Sequence, residues 1–462
     1  MIKNINLLSA GCSVILSLNT LYCFADNPNL GQPLPGLSQN ELNYYLEGQQ
    51  RFMEVNSVSG NEPGSVGTGL GPRYNMTSCA GCHAHPNIGG SSPAVNPQVA
   101  AATTYGAKNK LPYFITIDGP VREVRFKFNP DGSRDGGVHD LYVITGRADA
   151  GNCNIAQPDF DAAAAVNNIS FRIPTPLFGL GLIEAIPDSV ILANKNSNQA
   201  SKKSLGILGR ENRVQVGAVM GSPNISANDG TISRFGWKAQ NKSLLIFAGE
   251  AYNVEQGVTN DVFPNERDET PGCVLNGIPE DYTRFDANTP TTALSDTVSF
   301  THFMRYLAPL PAKPLTDASK RGQALFAKVG CNMCHTPSMT TGKSTTAALN
   351  EKIVNLYSDL LLHHMGPGLA DNINQGSAGP DEFRTAPLWG LGSRLFFLHD
   401  GRTSDLTTAI LAHASTNSAC STNQTTTKDG INCASEANIV INNFKKLSNK
   451  ERNDLLEFLK SL

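Results

Sequence analysis

The chain has 462 residues, of which 40% are hydrophobic and 17% charged, and a formal net charge of −3. That length holds two or three domains, and the composition is that of a folded globular protein, which excludes an intrinsically disordered chain. No basic stripe points to nucleic acid, and no run of Lys and Arg points to an anionic membrane surface.

Residues 1–25 read as a secretory signal. Lys3 supplies a weak basic start, 7–18 form a short apolar run, and Cys23-Phe24-Ala25 is a small-x-small cleavage site. The run is too short to span a bilayer, and no later stretch is long and apolar enough for a transmembrane helix. A lipoprotein signal at Gly11-Cys12 is the weaker alternative, because Cys12 falls inside the apolar run. Export places the mature chain in the periplasm.

Ser38-Gln39-Asn40-Glu41 has the form of a capping box and starts a helix through Tyr45 and Phe52. Within it Gly48 and Phe52, four apart, share one face; the glycine lets another helix cross closely. A Gly-rich loop over 60–72 leads to Cys79-Ala80-Gly81-Cys82-His83. Val124, Phe126 and Phe128 alternate with Arg125 and Lys127 and predict a hairpin that turns at 129–132 and returns over 141–145. Glu184 lies in an apolar, Gly-interrupted stretch, and Asp188 is placed to cap a short helix over 189–193. Phe300, Phe303, Met304 and Leu307 make an apolar helical stripe, followed by a Pro-rich linker over 309–314. The pattern then repeats. Gly322 and Phe326 stand four apart, Cys331-Asn332-Met333-Cys334-His335 follows, and a helix capped at Ser448 with Glu451 closes the chain with Leu455, Phe458, Leu459 and Leu462.

The two C-x-x-C-H motifs organise this plan. Two thiols three apart can each bond one vinyl group of a porphyrin, and the next residue offers an imidazole to the iron, so the motif is the attachment signature of c-type haem. Chance would supply roughly 0.004 copies in a chain of this Cys and His content. The sequence therefore predicts two covalently bound haem c groups, held by Cys79, Cys82 and His83 and by Cys331, Cys334 and His335. A redox dithiol or a zinc site is the plain alternative. The expected fold is mainly α: an N-terminal cytochrome c-like domain over 26–311 with a large insert containing some β structure, then a smaller one over 312–462. Cys153, Cys273, Cys420 and Cys433 remain, an even number in an oxidising compartment. Proximity favours Cys420 with Cys433, leaving Cys153 with Cys273.

Several stretches resemble the bacterial di-haem oxidoreductases of peroxidase type, distant relatives of di-haem cytochrome c peroxidases and MauG-type enzymes. They are Arg172-Ile173-Pro174-Thr175-Pro176 with Gly179 through Asp188, Arg234-Phe235-Gly236-Trp237, Gly249-Glu250-Ala251-Tyr252, Leu360-Leu361-Leu362-His363-His364-Met365-Gly366 and Phe397-Leu398-His399-Asp400-Gly401-Arg402. The resemblance implies a periplasmic di-haem protein that handles peroxide or another small oxidant, fed by a donor such as a small cytochrome or cupredoxin. It also allows for calcium between domains; Asp131, Asp135 and Asp140 are loop oxygens without an EF-hand pattern. The sequence departs from the family at His364, where Asp is usual. It departs again over 384–398, which holds no Met, Tyr or His before His399.

Function turns on the sixth position of each iron, since a protein ligand makes an electron carrier and an open site can bind peroxide. Met365, in a Met-Gly-Pro-Gly turn, is the expected sixth ligand of the second haem, with His363 and His364 behind it and His399 more structural. For the first haem His139, His302, Met76 and Met220 are conceivable, His85 is too close to His83, and an open site is favoured. Peroxide cleavage needs a base, for which Glu184 is the first choice and Glu250 and Glu266 are alternatives. Trp237 and Trp389 are the candidate aromatic bridges. Arg234, Arg384 and Arg402 are candidate propionate partners. The leading expectation is a peroxidase-type oxidoreductase in which electrons pass from the second haem to the first. The alternatives are a di-haem electron carrier without its own substrate, and an oxidase of a thiol or protein partner.

Overall fold

The computed structural model describes residues 30–219, 221, 224–268, 270–416, 420 and 424–462. The expected signal segment, with Cys12 and Cys23, and the candidate ligand Met220 lie outside the described residues. Helices dominate the regular structure. Those that frame the site are α1 (Gln39–Met53), α2 (Leu180–Glu184), α3 (Leu244–Gln256), α4 (Asp296–Tyr306), α5 (Asp317–Val329), α6 (Leu406–Leu411), α7 (Asn438–Lys445) and α8 (Asn449–Leu459). Among the described residues no helix is long and apolar enough to cross a membrane.

The repeat seen in the sequence is a repeat of packing. α1 and α8 both start at capping boxes, Ser38 with Glu41 and Ser448 with Glu451. α1 packs on α4 at Gly48, where an added Cβ would overlap Ser299 O. α5 packs on α8 at Gly322, where it would overlap Asp454 O. Both glycines permit backbone contact that no larger residue allows. The phenylalanines four residues on then reach the histidines of the motifs. Phe52 lies edge-on to His83 at 5.9 Å, and Phe326 is 6.4 Å from His335.

The largest core joins Tyr45, Phe52, Phe300, Phe303 and Met304 to Met339, Leu349, Leu356, Leu360 and Leu361. This core thus draws side chains from both sides of position 311. A second core gathers Phe326, Phe397, Phe444, Leu455, Phe458 and Leu462 around α5, α7 and α8.

The sheets are small. β1 (Arg73–Tyr74), β2 (Glu123–Phe126), β3 (Val138–His139), β4 (Tyr142–Val143) and β5 (Ile169–Arg172) lie in the first half. β6 (Leu362–His364) and β7 (Glu382–Arg384) pair antiparallel in the second. The hairpin differs from expectation. β2 pairs with β3 and β5, whereas Tyr142 and Val143 pair with β1. The chain turns where expected, over 129–132 inside a Phe128–Arg134 bridge, but the returning strand comes earlier, at Val138–His139. The polar positions are also not a solvent face: Arg125 is buried, where it meets Glu123 and donates to Gly136 O at 2.8 Å. Asp188 begins a helix, Asp188–Asn196, rather than standing before it; its carboxylate accepts from Ile232 N and Arg234. Cys153–Cys273 and Cys420–Cys433 are joined, the first bond closing a stretch of 120 residues.

Candidate active site: two cavities around the paired motifs

Cys79–Cys82 is a single helical turn that His83 ends, and Cys331–Met333 is a 3-10 turn before Cys334 and His335. In each motif the turn sets both sulfurs and the imidazole on the wall of one cavity. The first measures about 1170 Å³ and the second about 1400 Å³, each including its open mouth. The four thiols are unbonded to one another. Burial pushes Cys79 and Cys331 up to about 12, and raises Cys82 and Cys334 as well, which argues against a reactive dithiol.

Each motif histidine is prepared as a ligand. Nδ1 of His83 bonds Gly90 O at 3.0 Å, and Nδ1 of His335 bonds Tyr357 O at 2.9 Å. That fixes the tautomer with the proton on Nδ1 and leaves the Nε2 lone pair free. Burial pulls both rings down to about 4, so they are neutral at neutral pH.

The walls also carry guanidiniums with nitrogens that lack hydrogen-bond partners. Arg394 lines the second cavity, and its Nε and Nη2 are sealed from solvent with no hydrogen bond. Burial alone pulls it down to about 10. Arg122 lines the first cavity with an unpartnered Nε. A buried guanidinium without an acceptor is costly. The carboxylates of a porphyrin's propionates are acceptors of the right kind, so the residues present fit two haems.

The cavities differ in what else they hold. Glu123, Arg125, Glu250 and Glu255 line the first. Burial opposes ionisation of Glu123, but the charges of Arg125 and Arg172 outweigh it and hold the carboxyl below its usual range. Glu255 goes the other way: burial, then the charge of Glu123 and a hydrogen bond shared with it, raise it well above that range. The two carboxyls are thus driven apart, Glu123 towards the ionised form and Glu255 towards the protonated one. Glu250 is raised by burial, against the opposing effects of an Asn241 hydrogen bond and the Arg125 charge. The second cavity is walled largely by Leu, Ile and Phe side chains.

Residues 161–462 match the family described as "Di-haem oxidoreductase, putative peroxidase". The chain belongs to this di-haem oxidoreductase family. Among solved structures it is similar to the diheme peroxidase BthA from Burkholderia thailandensis E264, at 14% identity and TM-score 0.34, over 94% of this chain and 87% of that one. It is similar to Kuenenia stuttgartiensis hydrazine synthase at 15% identity and TM-score 0.32, over 100% and 99%. A MauG-like protein associated with microbial copper homeostasis matches at 18% identity and TM-score 0.23, over 36% of this chain and 52% of its own, so the chain spans about half of that relative. These likenesses are too distant to carry residue roles across. Comparison with curated proteins returns no match.

Within the di-haem oxidoreductase the structure brings some of the expected residues to the cavities and not others. Trp237 lines both cavities and donates from Nε1 to Ile173 O at 2.9 Å. Trp389 lines neither; it packs over Gly179. Met365 lines the second cavity beside Trp237 and Phe383. His399 also lines it, stacked 4.3 Å from Phe383. Both ring nitrogens of His363 face carboxylates, Asp359 at 2.9 Å and Glu436 at 2.8 Å, and His364 sits between Asp381 and Glu382. His363 therefore has no free lone pair for a metal, although Cys334, Asp359 and His363 place ligand atoms within 4.8 Å of one another. Met76 lines the first cavity. His139 instead pairs with Asp135, and His302 is stacked between Tyr44 and Tyr306.

Glu184 is not in either cavity. Its Oε1 accepts from Leu244 N at 2.8 Å and its Oε2 from Arg305 Nε at 2.7 Å, so it ties α2 to α3 and α4. Glu266 is pushed up to about 7 by burial but accepts from Arg267 N away from the cavities. Glu250 is the expected alternative that does reach the site. Arg384 lines the second cavity yet spends Nε on Gly236 O and Nη1 on Thr385 O. Arg234 is held by Asp188, and Arg402 by Asp400. The calcium oxygens do not converge: Asp131 accepts from Ser133, Asp135 meets His139, and Asp140 meets Arg267. Sequence reasoning missed Glu123, Glu255, Arg122 and Arg394. Arg394 stands ten residues after Arg384 in the same stretch, and no local pattern distinguishes the two arginines.

Proposed function

We propose that this di-haem oxidoreductase is a periplasmic peroxidase built of two cytochrome c-like domains, with haem c bound covalently at each C-x-x-C-H motif. The supporting observation is the pair of carboxyl side chains Glu123 and Glu255 lining the same cavity as His83, with their surroundings pushing the two in opposite directions. Haem supplies one-electron redox chemistry and a site where a peroxide O–O bond can be cleaved. The overall reaction consumes hydrogen peroxide, two protons and two electrons and gives two waters.

The chain's own residues then have distinct tasks. His83 and His335 offer Nε2 as proximal ligands. Glu123, ionised, accepts a proton from the peroxide oxygen near it. Glu255, neutral, gives a proton to the departing oxygen, and Glu250 with Asn241 holds a third proton site beside them. Arg125 keeps Glu123 charged. Electrons enter at the second cavity from a small cytochrome or cupredoxin and cross the shared wall, where Trp237 offers an aromatic ring. An exported location agrees with the signal at 1–25 and with four cysteines paired as disulfides.

Electron paramagnetic resonance of the holo-protein, oxidised and then half-reduced, tests this proposal together with a peroxide turnover assay. A high-spin ferric signal with turnover is the expected result. Two low-spin signals in both states and no turnover would leave a di-haem electron carrier instead.

A further inference from the structure

His413 follows α6, which presents Leu406, Ala409, Ile410 and then His413 to the second cavity, an i, i+3, i+4, i+7 face. Its Nδ1 bonds Ala409 O at 2.8 Å, and its Nε2 has no hydrogen bond among the described residues. Only His83 and His335 share this arrangement, in which a backbone carbonyl fixes the Nδ1 proton and a free Nε2 belongs to a ring on a cavity wall. The other histidines of that cavity differ: His363 is spent on two carboxylates, and His399 lies flat on Phe383 without a carbonyl anchor. His335 and His413 are also close enough for the charge of one to act on the other.

We infer that His413 is the second axial ligand of the iron held by His335, in the place expected of Met365. This rests on the haem reading of Cys331-Asn332-Met333-Cys334-His335. Anchoring Nδ1 to a carbonyl orients the ring and raises the basicity of Nε2, as outer partners of metal-bound histidines do. The consequence is a low-spin iron between two imidazoles that binds no substrate. Its reduction potential lies below that of a His/Met site, so the matching donor is a low-potential one. Met365 then serves as apolar packing between Trp237 and Phe383.

The test uses the exported holo-protein and its His413→Gly, His413→Met and Met365→Ala variants. Peptide mass spectrometry first records whether haem is bound at Cys331 and Cys334; its absence in the wild type would overturn the haem reading, and this inference with it. With haem in place, the wild type should show a low-spin signal of bis-imidazole type and no far-red sulfur-to-iron charge-transfer band. His413→Gly should lose that low-spin signal and gain a high-spin one, and added imidazole should restore it. His413→Met should raise the potential of that haem. Met365→Ala should leave the spectrum unchanged. An unaltered spectrum in His413→Gly, or loss of the low-spin signal in Met365→Ala instead, would overturn the assignment.

Discussion

The acid pair in the first cavity gives the sharpest expectation at the scale of single residues. The proposed mechanism requires Glu123 ionised and Glu255 protonated. Glu123 sits below the usual carboxylate range and Glu255 well above it, so turnover should fall in acid below that range, as Glu123 gains a proton, and fall again in alkali as Glu255 loses one. Glu255→Gln should abolish the alkaline limb, and Glu123→Gln should lower kcat about 10²–10⁴-fold with haem content intact, as steady-state pH profiles would show. Arg394 makes a different kind of claim. The two sealed nitrogens of Arg394 that lack acceptors destabilise the haem-free chain, so Arg394→Met should stabilise apo-protein by about 1–3 kcal/mol and destabilise the holo form, a reversal of sign visible in paired thermal melts. None of these groups could be picked out along the chain. Glu123 carries no local signature of its own, and only the third dimension brings it to Glu255, 132 positions later by numbering. The motif cysteines and histidines were legible because covalent chemistry fixes their spacing. Glu184 misled because an apolar, Gly-interrupted context reads alike for a catalytic acid and for a carboxylate that bridges three helices.

At the scale of elements, the fold rests on one helix crossing used twice. The sequence showed it through Gly48 with Phe52 and Gly322 with Phe326, since close approach leaves no choice of residue. Gly322→Ala should test the crossing of α5 on α8. Helix propensity alone would favour alanine by about 1 kcal/mol. The overlap of the new Cβ with Asp454 O should outweigh it, because overpacking costs about 1–3 kcal/mol and here the obstacle is backbone. A net loss in denaturant stability, with weaker haem retention at the second motif, is the expected outcome. The β elements were less legible. Their strands are two to four residues long, too short for alternation to carry a register, and β2 took an earlier partner than its apolar pattern suggested.

For the whole molecule, the first half of the chain is held by both packing and covalent closure. Removing the Cys153–Cys273 bond by double substitution to Ser should cost about 2–5 kcal/mol, more than loss of Cys420–Cys433, because the closed loop is longer; calorimetry of the two variants would rank them. That bond has a consequence for biogenesis. Eight cysteines lie among the described residues, four free in motifs and four bonded. Within each motif the thiols are three positions apart, whereas Cys153 must wait for a partner 120 residues on. A chain emerging into an oxidising compartment would close the neighbours first and forfeit both attachment sites. On the proposed haem c reading, maturation keeps Cys79 and Cys82 reduced, or already consumed, while Cys153 is still waiting. Production in a host that oxidises thiols without attaching haem should yield a chain scrambled at these pairs.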